Sequence, residues 1–203
     1  MHIYTDGAYK RIKRYSKDSP KSHAGSWGYV FVISNTPKYE NYSKEILFKT
    51  TSQKMELLAV LKALLEYSSM HYSITHPNVT IFTDSSYIEK SFNEWMEGWK
   101  RAGWLKSDLQ PVENIELIQL LYMYKLSIPG LQIKHVKGHS GIKYNERADE
   151  LANIAFKLYD KKYKEQDKLC EDIMQDTNNM MDKLTLDDLE RDSWISIRNS
   201  FDT

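Results

Sequence analysis

Strand-like and helix-like segments follow one another along residues 1–159 in an order that few folds accommodate. The order is β-β-β-α-β-α-α-β-α, with three strands before the first helix and helices between the later strands. This order predicts an α/β fold in which helices flank a mixed sheet, antiparallel at first and then parallel. The predicted strands are residues 2–6, 27–34, 42–50, 79–83 and 131–136, and the predicted helices are 55–65, 88–104, 113–125 and 145–159.

Apolar residues at helical spacing predict which sides of the first and last helices are buried. Ser52 is the predicted N-cap of the first helix. The predicted inner faces consist of Leu57, Leu58, Leu61, Leu64 and Leu65 in the first helix, and of Ala148, Leu151, Ala152, Ala155 and Leu158 in the last.

The composition is that of an ordinary globular chain, with 41% hydrophobic and 28% charged residues. No apolar run approaches the length of a membrane span, and the N-terminus lacks the basic and apolar run of a secretory signal. The single cysteine, Cys170, excludes an internal disulfide framework and suits a reducing compartment. We therefore expect no membrane partner and a cytoplasmic location, with the nucleus as the alternative.

The net charge of zero conceals an asymmetry between the two parts of the chain. Residues 160–203 carry 7 Lys and Arg against 12 Asp and Glu, so residues 1–159 have a net charge of +5, which suits a nucleic-acid partner. We predict a domain over 1–159 and an acidic, partly helical extension over 160–203. Residues 186–201 fit either an amphipathic helix that docks on the body or on a partner protein, or a disordered extension.

Two aspartates close two of the predicted apolar strands: Asp6 ends the first strand, and Asp84 follows residues 79–83. In an open α/β sheet, the carboxyl ends of parallel strands form a crevice for ligands. Two carboxylates facing each other there are costly unless a metal ion neutralises them. The alternative is that each aspartate only begins a turn, because Asp-Gly and Asp-Ser are common turn pairs.

Two helices each place a carboxylate beside small apolar residues. Glu56 shares its side of the first helix with Ala59, Val60 and Ala63, which predicts that Glu56 points inward or into a crevice. Asp149 lies one turn into the last helix. Either residue is also explained as an acid in a first turn, where the helix dipole favours negative charge.

His139 lies in a segment with glycines on both sides, which predicts a mobile, exposed loop. It contributes to catalysis only if that loop overhangs the carboxylates, and is otherwise a bystander. Four clustered acids without cysteine or clustered histidine suit hard ions such as Mg²⁺ or Mn²⁺ rather than zinc. The chemistry of such sites is phosphodiester hydrolysis with paired metal ions.

Five short motifs carry these candidate residues. They are Tyr4-Thr5-Asp6-Gly7, Met55-Glu56-Leu57-Leu58-Ala59, Phe82-Thr83-Asp84-Ser85, Val136-Lys137-Gly138-His139-Ser140-Gly141 and Asn145-Glu146-Arg147-Ala148-Asp149-Glu150-Leu151-Ala152. In this order and at these separations, residues 1–159 resemble the type 1 ribonuclease H family.

The resemblance implies an endonuclease that cleaves the RNA strand of RNA–DNA hybrids by a two-metal-ion mechanism. It implies a ribonuclease H-like fold with a five-stranded mixed sheet, in which the strands of Asp6 and Asp84 are adjacent at the centre. It further implies that His139 assists turnover and that the ion is Mg²⁺, with Mn²⁺ as a substitute. The metal-binding residues that it implies are Asp6, Glu56, Asp84 and Asp149.

The resemblance also implies substrate contacts. Thr51 and Asn114 correspond to a pocket for a phosphate of the DNA strand. Ser52 and Gln53 correspond to positions that contact the minor groove of the hybrid. A last group resembles the basic protrusion with which some members hold the DNA strand, and consists of Trp95, Trp99, Lys100, Arg101, Trp104 and Lys106. The alternative for this group is a helix packed through its tryptophans, with ordinary surface charge.

The chain departs from the family pattern in three places. A basic segment, residues 10–23, replaces a short glycine- and proline-rich loop, and either contacts substrate phosphates or is simply solvated. Ser52 stands where asparagine is common, and the acidic extension has no counterpart. Because the first strand begins at once, we expect no separate hybrid-binding domain before it, and we expect a monomer.

Two rival functions fit parts of this pattern. One is a nuclease of DNA strands, as integrases and transposases are, but those enzymes lack the His139 motif and the tryptophan protrusion. The other is a hybrid-binding module without catalysis, which would be expected to lack at least one of the four acids.

Overall fold

The computed structural model of the chain describes residues 1–12, 23–70 and 78–183. Most of the basic segment 10–23 and the proposed helix 186–201 therefore lie outside the described residues. The chain divides into two compact units, Met1–Tyr159 and Asp160–Thr203. Within the described ranges, no helix combines the length and the apolar character that a membrane crossing requires.

The first unit contains a mixed sheet, as the sequence predicts. Its strands are β1 (His2–Arg11), β2 (His23–Ile33), β3 (Thr36–Tyr42), β4 (Leu47–Phe48), β5 (Val79–Thr83) and β6 (Leu131–His135). The five main strands lie in the order β3-β2-β1-β5-β6, and the two-residue β4 pairs with β2. The first three strands are antiparallel, whereas β5 and β6 run parallel to β1. The central neighbours are therefore β1 and β5, as the resemblance implies.

Helices pack on both faces of this sheet. They are α1 (Ser52–Ser69), α2 (Ser86–Lys90), α3 (Met96–Arg101), α4 (Ile115–Ser127), α5 (Lys143–Ala152) and α6 (Ile154–Lys183), and a π-helical turn over Ser91–Trp95 joins α2 to α3. On one face, Leu57 and Leu64 of α1 pack in the main core with Ile3 of β1. On the other face, Leu151 of α5 packs on Val30 of β2. The central strands thus lie between α1 and α5.

β1 continues past Asp6, so the prediction that the first strand ends there is wrong. Pairing with β2 extends to Arg11, whereas pairing with β5 stops at Tyr4. The reason is that β5 ends at Thr83, while β2 continues beside β1. Asp6 therefore borders the opening that begins where β5 ends, and Asp84 is the first residue after β5.

The prediction of a third strand over residues 42–50 is also wrong, because β3 covers Thr36–Tyr42. The chain reverses directly after β2 in a two-residue turn at Ser34 and Asn35, so β3 comes earlier. Both residues have positive φ, 51° and 57°, which is the conformation of the type I′ turns that match the twist of a hairpin. Beyond Tyr42, only the short β4 pairs with the sheet in this region.

α1 begins at Ser52, the residue that the sequence predicts as its N-cap. Thr51 is the N-cap instead of Ser52, because the Thr51 hydroxyl accepts a hydrogen bond from the backbone N–H of Lys54 at 3.2 Å. Tyr67 joins the buried side of the helix. The predicted inner face is buried except for Leu58, which is half-buried, and Leu65, which is 55% exposed.

The predicted helix 145–159 is two helices, α5 and α6, which are interrupted at Asn153. The alanines and Leu151 of the predicted inner face are buried, but Leu158 is 48% exposed. The interruption changes the phase of the helix, so that Phe156 packs in the core in place of Leu158. In the second unit, the described residues 160–183 continue α6, with an ion pair between Lys161 and Glu165 at 3.8 Å.

Candidate active site

Three carboxylates from three different elements meet at the opening beside β1. Asp6 comes from β1, Glu56 from α1, and Asp84 from the end of β5. One carboxylate oxygen of each residue lies within 4.8 Å of the others. Asp6 is only 7% exposed and Glu56 only 9%. Asp6 and Asp84 therefore do more than begin turns. Glu56 is not a solvated acid of the first helical turn, and the prediction that it points inward is confirmed.

A close approach of α1 to β1 brings Glu56 to Asp6. The contact is made at Gly7, where an added Cβ would overlap the backbone of Met55 and Glu56. The side-chain oxygen Oε2 of Glu56 is buried and has no hydrogen-bond partner among the described residues. A buried, unpartnered carboxylate oxygen is costly unless a cation or a proton compensates it.

Burial and mutual repulsion raise the pKa values of all three acids. Burial, followed by the charges of Asp84 and Asp149, raises the pKa of Asp6 to about 7. Burial and the charges of Asp6 and Asp84 hold the pKa of Glu56 well above its usual range. Burial also raises the pKa of Asp84, against the opposing effect of hydrogen bonding and of His139. A divalent cation fits this donor set, because it would remove the repulsion and give Glu56 Oε2 a partner.

Asp149 approaches the cluster from α5. It lies close enough to Asp6 for its carboxylate to raise the pKa of Asp6. Its oxygen is not one of the three that lie within 4.8 Å of each other. The side chain is half-buried, and Oδ1 accepts a hydrogen bond from Nδ2 of Asn153 at 2.9 Å. The four predicted acids thus come together, three of them tightly and Asp149 beside them.

The loop that carries His139 passes directly over Asp84. His139 is exposed, has a φ of 49°, and lies close enough for its charge to lower the pKa of Asp84. The loop is tied to α5 by a hydrogen bond from the backbone N–H of Gly141 to Oε1 of Glu146, at 2.9 Å. The loop therefore overhangs the carboxylates, as a catalytic role of His139 requires.

Gly138 is the residue that allows this close passage. A Cβ added there would lie 2.6 Å from Oδ2 of Asp84, so either the loop or the carboxylate would have to move. We expect Gly138→Ala to lower kcat by about 10²-fold, the cost of a displacement of about 1 Å at a catalytic group. Steady-state kinetics would measure this loss, and thermal unfolding should change little because the loop is exposed.

Gly98→Ala is the matched control for this substitution, since an added Cβ at Gly98 meets no atom within 4 Å. Equal activities of the two alanine variants would show that the passage over Asp84 has no catalytic importance.

His135 is a neighbour of the site that the sequence analysis missed. It ends β6, and Nε2 donates a hydrogen bond to the backbone carbonyl of Asp84 at 3.1 Å. Its charge also opposes the rise in the pKa of Asp84. The parallel register places His135 opposite Thr83, so a histidine at the end of the strand beside β5 was the available indication.

The predicted phosphate and minor-groove residues lie at the starts of two helices. Thr51, Ser52 and Gln53 form the exposed start of α1. Asn114 precedes α4 in the left-handed conformation, with a φ of 54°. α1 and α4 pack against each other, so the two helix starts belong to the same layer of the fold.

The tryptophans of the predicted protrusion are half-buried, while Lys100 and Arg101 are exposed. The rings of Trp95 and Trp99 lie 5.5 Å apart, and that of Trp104 lies 5.6 Å from Tyr122. The ammonium of Lys100 lies 4.7 Å from the ring centre of Tyr122 and donates to its hydroxyl at 3.1 Å. Aromatic packing thus fixes the helix, and the charges lie on its outside.

A mixed sheet with clustered carboxylates at its centre defines a class of α/β nucleases. Comparisons with known proteins narrow this class. The RNase H family model matches residues 1–157. Ribonuclease H of Hahella chejuensis is 36% identical over 157 residues, which cover 77% of this chain and 93% of that protein. Ribonuclease H of Saccharopolyspora erythraea is 39% identical over 152 residues, which cover 75% and 87%.

Solved structures agree with these relatives. The RNase H domain of prototype foamy virus matches with a TM-score of 0.61 and 26% identity, over 76% of this chain and 92% of that domain. A foamy viral protease-reverse transcriptase in complex with an RNA/DNA hybrid matches with a TM-score of 0.64, over 76% of this chain and 19% of that one. Its identity is 24%, so it supports the fold alone.

The chain belongs to the RNase H family and is therefore an endonucleolytic hydrolase. The fold class, the family and the nuclease activity that the sequence predicted are confirmed. The family also implies dependence on a divalent metal ion, for which the acidic cluster is suited.

Proposed function

We propose that this enzyme hydrolyses the RNA strand of RNA–DNA hybrids at the cluster of Asp6, Glu56 and Asp84, with Asp149 beside it. The observation that carries the proposal is the convergence of oxygens from three elements within 4.8 Å, where β5 ends beside β1. Membership of the RNase H family supports the substrate, and a protein of the same fold has been solved with an RNA/DNA hybrid.

The four acids would hold a pair of divalent cations, Mg²⁺ or its substitute Mn²⁺. All four offer carboxylate oxygens, the donor type that these ions prefer, and three of them have an oxygen within 4.8 Å of one another. When bound, such ions activate a water molecule and stabilise the leaving oxygen of a phosphodiester. The burial of Asp6 and Glu56 keeps their oxygens fixed and largely free of bulk water, so that they are preorganised for the cations.

His139 would assist turnover from the loop above Asp84. His139 is exposed to solvent, and histidine is the side chain that most often transfers protons in catalysis. Its proximity to Asp84 supports a role in giving a proton to the leaving oxygen or in releasing the product. The loop stays in place through the bond between Gly141 and Glu146.

Substrate would be held by the two helix starts and by the protrusion. Thr51 and Asn114 would bind a phosphate of the DNA strand, and Ser52 and Gln53 would contact the minor groove. Lys100 and Arg101 would contact phosphates of the DNA strand, while Trp95, Trp99 and Trp104 support their helix. The exposure of both cations and the packing of the tryptophans support this division of roles.

Residues 1–159 would be the catalytic domain and would act as a monomer in the cytoplasm. The acidic extension, residues 160–203, would serve as a site for a partner protein. Its excess of acidic residues makes it unsuited to bind nucleic acid itself.

A cleavage assay tests the proposed function. Labelled RNA–DNA hybrid, duplex DNA and duplex RNA are each incubated with the full chain, with and without Mg²⁺. We expect cleavage only in the RNA strand of the hybrid, and only with the metal ion. Cleavage of duplex DNA would favour the integrase-like alternative, and tight hybrid binding without cleavage would favour the non-catalytic module.

A further inference from the structure

We propose that Asn153 is a positioning residue that orients the carboxylate of Asp149 towards the cluster. This inference rests on the proposed role of Asp149 as a metal ligand. Asn153 belongs to none of the motifs that identify the family in this sequence, and its importance follows only from its contacts. It lies between α5 and α6, at the point where the helix is interrupted.

The interruption of the helix leaves Asn153 close to Asp149, one turn earlier. The backbone N–H of Asn153 donates to the carbonyl of Asp149 at 3.0 Å and also to that of Glu150 at 3.2 Å. The carbonyl of Ala152 accepts a hydrogen bond from outside the helix, from the buried hydroxyl of Ser26 in β2. The end of α5 is therefore fixed on β2, and Asn153 occupies a defined position.

The side chain of Asn153 makes two hydrogen bonds to Asp149. Nδ2 donates to the backbone carbonyl at 2.8 Å and to Oδ1 of the carboxylate at 2.9 Å. The backbone oxygen is always an acceptor, and so is an ionised carboxylate, so the amide nitrogen and not the amide oxygen has to face them. The amide thus links the main chain and the side chain of Asp149 and fixes the rotation of the carboxylate.

This arrangement leaves one oxygen of Asp149 for the cluster. The carboxylate of an aspartate rotates easily about its last bond, and a donor on Oδ1 restricts that rotation. Oδ2 is then the oxygen without this donor, and Asp149 lies near enough to Asp6 to raise the pKa of Asp6. A neutral amide achieves this without adding a positive charge that would compete with a divalent cation.

A second observation supports a positioning role. Oδ1 of Asn153 is buried and has no hydrogen-bond partner among the described residues. An amide placed only to end the helix would gain by turning its oxygen towards a donor or towards water. The amide instead leaves its acceptor unsatisfied and directs both of its described side-chain bonds to Asp149.

The test compares Asn153 with Asn93, which also donates to a carboxylate four residues earlier. Asn93 donates from Nδ2 to Glu89 Oε1, four residues earlier, at 2.9 Å and to the carbonyl of Ile133 at 3.1 Å. Glu89 lies outside the carboxylate cluster. Asn153→Leu and Asn93→Leu each replace the amide by an apolar group of similar size. The first removes a donor from Asp149, and the second removes a donor from Glu89.

Mn²⁺ binding to the metal-free full chain is measured by calorimetry for both variants. We expect Asn153→Leu to weaken binding by about 10- to 100-fold, the usual effect of removing a partner of a ligating residue, and Asn93→Leu to have no effect. In steady-state kinetics, Asn153→Leu should require more Mg²⁺ for half-maximal activity, with an unchanged KM for the hybrid. Normal Mn²⁺ affinity of Asn153→Leu, or equal losses in both variants, would overturn the inference.

Asp149→Asn separates this inference from the proposed function. If Asp149→Asn weakens Mn²⁺ binding and Asn153→Leu does not, only the positioning role fails. If Asp149→Asn itself binds Mn²⁺ normally, the proposed ligand set fails, and the positioning role fails with it.

NMR of the unaltered protein provides a second measurement that does not depend on the folding of a variant. The side-chain amide signals of Asn153 should shift when Mg²⁺ is added, whereas those of Asn93 should stay in place. An Asn153 signal that does not respond to Mg²⁺ would overturn the inference.

Discussion

Replacing Asp84 with asparagine is expected to abolish metal-dependent cleavage while the fold stays intact. Asparagine preserves the size of the side chain but removes the charge that a divalent cation requires. Electrostatic stabilisation by bound metal ions amounts to several kcal/mol, so we expect a loss of about 10³-fold or more in kcat. The fold should survive because the hydrogen bonds that tie this segment to β6 use the backbone carbonyls of Thr83 and Asp84, and not the carboxylate.

Turnover of a labelled hybrid across a series of Mg²⁺ concentrations measures this loss, and circular dichroism checks the fold. Asp108→Asn is the control, because the Asp108 side chain is 60% exposed and lies outside the carboxylate cluster. It pairs with Lys106 at 3.6 Å and accepts a hydrogen bond from the backbone N–H of Gln110 at 3.1 Å. Near-normal turnover of Asp84→Asn at several Mg²⁺ concentrations would contradict the role assigned to the cluster.

The residues of the cluster could be predicted because each lies at a recognisable place in the sequence. Asp84 follows a compact apolar strand, and β5 does end directly before it. The expectation that Asp6 and Asp84 meet followed from parallel neighbouring strands. It holds although β1 continues past Asp6, because the pairing of β1 with β5 stops at Tyr4. For Glu56 the sequence left two alternatives open. The cap at Thr51 places Glu56 beyond the first turn, where it is buried against β1.

The errors arose where backbone conformation or a distant partner determines the structure. The position of β3 depends on the positive φ angles of Ser34 and Asn35, which the apolar pattern does not reveal. The interruption of the last helix depends on Asn153 and its contacts, although the apolar residues continue through it. The contact of His135 with the site could not be predicted from the sequence, because its partner is a backbone carbonyl 51 residues away.

The cluster that would enable catalysis should destabilise the metal-free fold. The variant Asp6→Asn measures this destabilisation. The pKa of Asp6 is about 7 in the folded state against 3.8 as the reference for the unfolded chain. Between these pH values the unfolded chain has lost a proton that the folded chain retains, so stability falls as the pH rises from about 4 to about 7. Above pH 7, this difference in the pKa of Asp6 lowers the free energy of unfolding by roughly 4 kcal/mol.

Asp6→Asn should remove this penalty. In EDTA at pH 8, we expect the variant to have a free energy of unfolding a few kcal/mol higher than the unaltered protein, and at pH 4 the two should be similar. Urea unfolding at both pH values measures the difference, and Asp108→Asn should show none. Saturating Mg²⁺ should narrow the gap at pH 8, because the cation binds more tightly to the chain that retains all four acids and stabilises it more. A variant that is less stable than the unaltered protein at pH 8 would mean that repulsion among these carboxylates does not oppose folding, and the argument for a cation at this site would lose its electrostatic basis.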